Sequence, residues 1–220
     1  MIQLYLHQLM HYYILCFHLL VEILMKKRIG VIVESRSNST RLPNKILLKV
    51  ANETLLEHLI AKLKLIKDKP RVIIATTNNI SDDKICKIAR KKKVSFFRGS
   101  ENNVMKRVID AALKFKLTDI IQITSDCPLI DVNLVDQFLE IYKSHEISFL
   151  SNCVKRSYPD GMDIRITNLK DLIKSSKMTK KKFDYEHVTT HIQRNPKIFK
   201  NINILAPTNL YYPNLGLTLD

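Results

Sequence analysis

Short runs of β-branched and aliphatic residues alternate along this chain with longer stretches whose apolar positions recur every three or four residues. "IGVIVE" (29–34), "RVIIATT" (71–77) and "DIIQIT" (119–124) are continuous apolar runs of strand length, the pattern of strands buried on both faces. "VSFFRG" (94–99) and "ISFLSN" (147–152) read as two more. Between them, "NETLLEHLIAKLKLI" (52–66) sets Leu55, Leu56, Leu59, Ile60, Leu63 and Ile66 on one helical face, with Asn52 as its N-cap. Helices are also expected over 81–92 and 100–115, each opened by a capping Ser (Ser81, Ser100), and over 131–143, where Asp131 suits the cap. Strands alternating with helices of this length predict an α/β fold built on a doubly wound, mostly parallel sheet.

After residue 152 the rhythm changes. Strand-like pieces at 163–167, 201–206 and 215–219 bracket helical stretches near 168–177 and 184–194. They read as a small α+β excursion that leaves and rejoins the same sheet. The apolar first 24 residues have no basic leading region and no small-residue cleavage site, which argues against a signal peptide. Met25 opens "MKKRIGVIV", a natural start for a cytoplasmic α/β protein. Residues 1–24 are therefore expected to be an extension from an overlong gene model, and 25–220 the domain proper. A membrane-associated helix is the alternative for 1–24, supported by its length and weakened by its three His, two Gln and one Glu.

At 220 residues and 45% hydrophobic, the chain has material for one substantial core. Its net charge of +15 implies an anionic partner: nucleic acid, a membrane surface or a phosphorylated small molecule. Part of that excess is a compositional bias toward Lys, Ile and Asn, seen in "KKR", "RKKK" and "TKKKF". The basic run 90–93 sits at a helix end and reads as a solvated surface. Cys16, Cys86, Cys127 and Cys153 have no metal-ligand or redox spacing, which fits reduced thiols in a cytoplasm.

Candidate chemistry gathers in two loops. In an open parallel sheet, ligands bind beyond the carboxyl ends of the strands. "SRSNSTRLPNK" (35–45) follows the first strand and offers Arg36, Arg41 and Lys45 with Ser37, Ser39 and Thr40. Two guanidiniums, an ammonium and hydroxyl donors suit a polyphosphate. The loop contains no glycine, so it is neither a Walker A nor a GxGxxG loop. In "TSDCPLID" (124–131), Asp126 directly follows a strand, where it can hold Mg²⁺ on nucleotide phosphates. Asp131 fits the helix cap, which leaves Asp126 free for that role. Cys127 has no identifiable base and reads as a packing residue. His187 and His191 share a helix face at i, i+4 spacing, but no further zinc ligand is evident.

"ESRSNSTRLPNK", "TLLEHLI", "IATT", "FRGSENNVMKR", "ITSDCPLID", "YPDGMDI" and "YEHVT", in this order, resemble the spore-coat-polysaccharide type of cytidylyltransferase. That group is related to CMP-Kdo synthetase and acylneuraminate cytidylyltransferase. The resemblance spans about residues 27–220 and implies a nucleotidyltransferase variant of the Rossmann-like fold. It implies an enzyme that activates a sugar, typically an acidic one, with CTP and Mg²⁺ for a surface polysaccharide. By position it puts Arg36, Ser39, Arg41 and Lys45 on the CTP phosphates, Asp126 and Asp220 on the metal, and Ala75, Thr76 and Thr124 near the nucleoside. Arg36, Lys45 and Asp126 would be the catalytic groups. Asp160, Asp163, Glu186 and His187 match segments on the sugar side. It further implies a homodimer formed through the 150–205 excursion; no nucleic-acid partner is expected, and a membrane partner only if residues 1–24 are translated and anchor the protein.

The chain departs from the family pattern at Glu34, where Gln is usual, and at Asn38 and Asn44, where Gly is usual. Losing Gly removes easy access to positive φ and predicts a differently shaped loop. Relatives also continue past the position of Asp220 into an acidic segment and a helix, which raises the reading of an inactive nucleotide-binding paralogue. A nucleotide-sugar-dependent glycosyltransferase would more often carry a DxD motif, and "SDC" (125–127) supplies one Asp only. A nucleic-acid binder would show steep salt dependence, but no recognisable binding motif is present.

Overall fold

The computed structural model describes residues 27–38 and 42–218. The expectations for residues 1–24, Ser39, Thr40, Arg41 and Asp220 lie outside the described residues.

β1 (Ile29–Glu34), β4 (Arg71–Thr77), β5 (Ser95–Gly99) and β6 (Asp119–Thr124) pair in parallel. With β7 (Phe149–Ser151), β8 (Arg165–Asn168) and β9 (Asn201–Asn203) they form a seven-stranded sheet ordered β5-β4-β1-β6-β8-β7-β9. β8 runs against both β6 and β7. The ribbon of β2 (Lys49–Val50) and β3 (Glu53–Thr54) stands apart as a two-stranded sheet. Parallel strands need crossovers that cover both faces, and the helices divide accordingly. Val31 and Val33 point to a core shared with α1 (Leu55–Leu63), α2 (Asp83–Lys91) and, beyond α3 (Val104–Lys114), α4 (Val132–Ser144). Ile32, Ile73 and Ala75 point to the opposite core, built with α3, α5 (Leu169–Met178), Val188 and Ile192. Tyr158 and Ile164 belong to the first core and Phe199 to the second, so the excursion is packed into both.

Helix starts differ from expectation for identifiable reasons. Ala51 and Asn52 both take positive φ, 47° and 69°, as the turn of the β2–β3 hairpin. Asn52 is thus a turn residue, and Thr54 caps α1 through a capping box with Glu57. Ser81 falls inside a 3₁₀ turn (Ile80–Asp82), and α2 begins after it. Ser100 accepts from Asn103 N at 3.0 Å in the turn before α3, whereas Asn103 caps the helix through Lys106 N at 2.8 Å. Asp131 caps α4. Over the described residues 215–218, the expected strand reduces to one bridge between Asp160 and Gly216.

The 184–194 helix is two pieces, α6 (Lys182–His187) and α7 (Thr190–Arg194). Between them Val188 adopts φ 54°, ψ −61°, and Thr189 N donates to His187 O at 2.6 Å, a γ-turn of the uncommon hand. Buried Asp184 holds the junction, accepting from Thr179 Oγ1 (2.5 Å), Thr190 Oγ1 (2.7 Å) and Arg194 Nη2 (2.5 Å). His187 and His191 therefore sit on different helices: His187 packs on Phe183 at 4.3 Å between rings, and His191 Nδ1 pairs with Ser175 Oγ at 2.9 Å. The basic run 90–93 is also more than a solvated face. Lys91 reaches Glu57 at 2.8 Å and Lys92 pairs with Glu53, tying α2 to the α1 entry. Among the described residues, no helix is long and apolar enough to cross a membrane.

Candidate active site

The carboxyl ends of β1, β4 and β6 are stitched together where their loops begin. Ser35 N donates to Ala75 O at 3.1 Å, and Ser125 N to Glu34 O at 3.0 Å. The loop after β1 closes on itself when Asn44 N donates to Ser37 O at 2.9 Å. Asn44 takes φ 59°, ψ 17°. It therefore supplies the left-handed conformation that Gly would give, since Asn is among the residues that tolerate it. At this position the loss of Gly has not cost the loop that conformation.

That turn delivers Lys45 into the crevice between β1 and β6. Its Nζ donates to Asp126 Oδ2 at 2.7 Å, with the two side chains only 11% and 21% exposed. Burial opposes ionisation of Asp126, but the hydrogen bonds from Lys45 and Thr124 outweigh it and hold the carboxyl below its usual range. The site therefore offers an ionised carboxylate against an ammonium. A neighbouring cleft of about 700 Å³ is lined by Arg36, Glu101, Asn102, Lys182, Tyr185 and Glu186. Across it Arg36 faces Glu186 at 3.8 Å.

Beneath the crevice lies a half-buried carboxyl, Glu34, which the sequence marks only as a departure from the family pattern. Glu34 accepts from Gln122 Nε2 at 2.6 Å. Burial pushes its pKa up to about 7, against the pull of Arg107, Arg165 and Gln122. Arg107 is 1% exposed and donates to Ser100 O at 2.5 Å, while its Nε has no hydrogen-bond partner among the described residues. Arg165 pairs with Asp163 at 3.0 Å, and Arg156 bridges Asp160 (2.8 Å) and Asp163 (3.5 Å).

The candidate residues thus fall into three groups: Lys45 with Asp126, Arg36 with Glu186, and Asp160 with Asp163 around Arg156. Thr124 Oγ1 lies 3.1 Å from Cys127 Sγ. Ala75 and Thr76 are fully buried. The Ala75 carbonyl is engaged by Ser35, and the Thr76 hydroxyl donates to Asp82 at 3.0 Å. Burial pushes the Cys127 thiol up to about 12, as suits a packing residue. Asp82, Arg107, Gln122, Arg156 and Arg165 were not singled out from sequence. The one available signal is polar residues inside or at the ends of apolar strands (Thr76, Thr77, Gln122), which need buried partners.

Residues 30–217 match the cytidylyltransferase family model. The spore coat polysaccharide biosynthesis protein SpsF of Bacillus subtilis (strain 168) is 29% identical over 196 residues, covering 86% of this chain and 80% of that protein. The 3-deoxy-manno-octulosonate cytidylyltransferase of Solibacter usitatus is 28% identical over 142 residues, covering 64% of this chain and 54% of its own. A cytidylyltransferase structure from Leptospira borgpetersenii superposes with a TM-score of 0.84 at 34% identity, over 89% of this chain and 82% of that one. The chain belongs to the cytidylyltransferase family and is a CTP-using nucleotidyltransferase.

Proposed function

We propose that this protein transfers CMP from CTP to a sugar hydroxyl, giving a CMP-sugar and pyrophosphate for a surface polysaccharide. The acceptor is an acidic sugar. Support for that class comes from the similarity to SpsF and to a 3-deoxy-manno-octulosonate cytidylyltransferase.

In this reading the sugar oxygen forms a bond to the α-phosphorus as the bond from that phosphorus to the pyrophosphate oxygen breaks in line. Lys45 and Arg36, with Ser39 and Arg41 of the same loop, bind the phosphates and offset the charge that grows on the departing pyrophosphate. One well-placed donor of this kind is worth about 3 kcal/mol. Thr124 and the β4 end border the nucleoside, and Asp160, Asp163, Glu186 and His187 border the sugar.

Asp126 suits Mg²⁺ because it is ionised and partly open, and Mg²⁺ is commonly held by one or two carboxylates plus substrate phosphates rather than by an all-protein cage. Asp220 is the second proposed ligand. When bound, the ion neutralises phosphate charge and orients the α-phosphate. A cytoplasmic homodimer joined through residues 150–205 completes the proposal.

The observation that carries the reading is the contact of Lys45 with Asp126 at 2.7 Å at the mouth of the β1–β6 crevice. Calorimetric titration with CTP and Mg²⁺ tests it. Binding in the wild type that is lost in both Lys45→Ala and Asp126→Ala supports the reading, and wild-type protein without CTP affinity removes it.

A further inference from the structure

Asp82 stands at the N-cap position of α2, yet its side chain does not cap that helix. Both carboxylate oxygens turn toward the nucleotide loop and the end of β4. Oδ1 accepts from Ser37 N at 2.8 Å and from Ser37 Oγ at 2.6 Å. Oδ2 accepts from Thr76 Oγ1 (3.0 Å), Thr77 N (3.2 Å) and Thr77 Oγ1 (2.5 Å). The residue is 1% exposed. Burial disfavours its charge, but the donors from Ser37, Thr77 and Thr76 outweigh that and hold the carboxyl below its usual range.

A buried anion directly under a loop that receives a polyphosphate works against binding through its charge alone. Its hydrogen bonds must therefore contribute something the charge does not. They join two segments 45 residues apart in sequence. We propose that Asp82 is the positioning residue of the nucleotide loop, fixing Ser37, and with it the adjacent Arg36, against the carboxyl end of β4. This rests on the CTP reading of the site and adds to it the residue that sets the loop's place.

The chemistry requires a carboxylate. Hydroxyls can rotate to accept, but the Ser37 and Thr77 backbone N–H groups can only donate. An Asn amide presents one oxygen and one NH₂. Whichever way it is turned, one of those two buried N–H groups loses its acceptor.

The test uses full-length Asp82→Asn and Ser37→Ala, with calorimetric titration of CTP and, separately, of CMP. In the proposed reaction the loop acts on the departing pyrophosphate, which CMP lacks. Asp82→Asn is expected to raise the Kd for CTP about tenfold and to change the Kd for CMP less than twofold. Ser37→Ala keeps the backbone bond to Asp82 and is expected to raise the Kd for CTP about threefold. Equal weakening toward CTP and CMP, the mark of a general structural role, overturns the proposal, as do wild-type CTP affinities in both variants. If Asp82→Asn does not fold, unchanged CTP affinity in Ser37→Ala is enough to overturn it. Wild-type protein without CTP affinity overturns the site reading as well, and so separates the two failures.

Discussion

Lys45 and Asp126 are separated by 81 residues of chain and meet at 2.7 Å, where the loop after β1 crosses the end of β6. The contact keeps a carboxylate ionised in a largely enclosed place, and in the proposed reaction the ammonium offsets charge on the phosphates. Removing the ammonium while keeping an unbranched stem isolates its contribution. Lys45→Met is expected to lower the kcat of pyrophosphate release by about 10²- to 10³-fold, the usual cost of one charge-stabilising donor. Steady-state assay of the purified variant checks this, and a kcat within threefold of wild type contradicts it.

Glu34 carries the next expectation. Its folded pKa of about 7 lies above the ordinary 4.5. Between those values the folded state binds more protons than the unfolded chain, so stability falls as pH rises through that window, by about 3 kcal/mol in all. Glu34→Gln keeps an acceptor for Gln122 and removes the ionisation. It is expected to stabilise the protein at pH 8 and to have little effect at pH 4.5. Urea midpoints at the two pH values check it, and an equal shift at both contradicts it.

At Glu57 the sign is reversed. Burial disfavours the charge, but Lys91 and Thr54 bring its pKa down to about 2. The stability it lends is present above the ordinary value of 4.5 and is lost as pH falls toward 2. Thr54→Ala removes the cap of α1 and is expected to cost about 1 to 2 kcal/mol at neutral pH. Chemical denaturation measures that cost, and wild-type stability should rise most steeply with pH between 2 and 4.5.

Much of the fold was legible because buried parallel strands announce themselves as continuous apolar runs. β1, β4 and β6 coincide with 29–34, 71–77 and 119–124. Caps were less legible, because several Ser, Thr, Asn and Asp residues stand near each helix start and only three-dimensional packing selects among them. Thus Thr54 displaced Asn52, and Asn103 displaced Ser100. The break at Val188 had no local signal, since a β-branched residue seldom adopts positive φ. The meeting of Lys45 with Asp126 follows from the strand order, which apolar runs suggest. The partners of buried Asp82 and half-buried Glu34 do not, because a lone acidic residue near a loop reads the same whether it is solvated or enclosed.

Gly161 supplies a backbone test. Its φ of 100° is open to glycine, and an added Cβ would come within 2.8 Å of the Leu217 carbonyl. Around it Asp160 N donates to Leu215 O at 2.8 Å and Leu217 N to Asp160 O at 2.7 Å. Gly161→Ala is expected to destabilise the protein by about 1 to 3 kcal/mol and to detach the 215–217 segment. Thermal unfolding and faster amide exchange at Leu217 check it.

The most direct measurement of the central claim is pyrophosphate release by the wild-type protein with Mg²⁺, each of the four nucleoside triphosphates in turn, and a panel of nonulosonic and octulosonic acids. The account predicts release with CTP and one acidic sugar, absent without that sugar and abolished by Asp126→Ala. Release that needs no sugar, that runs equally with all four triphosphates, or that survives Asp126→Ala would contradict it.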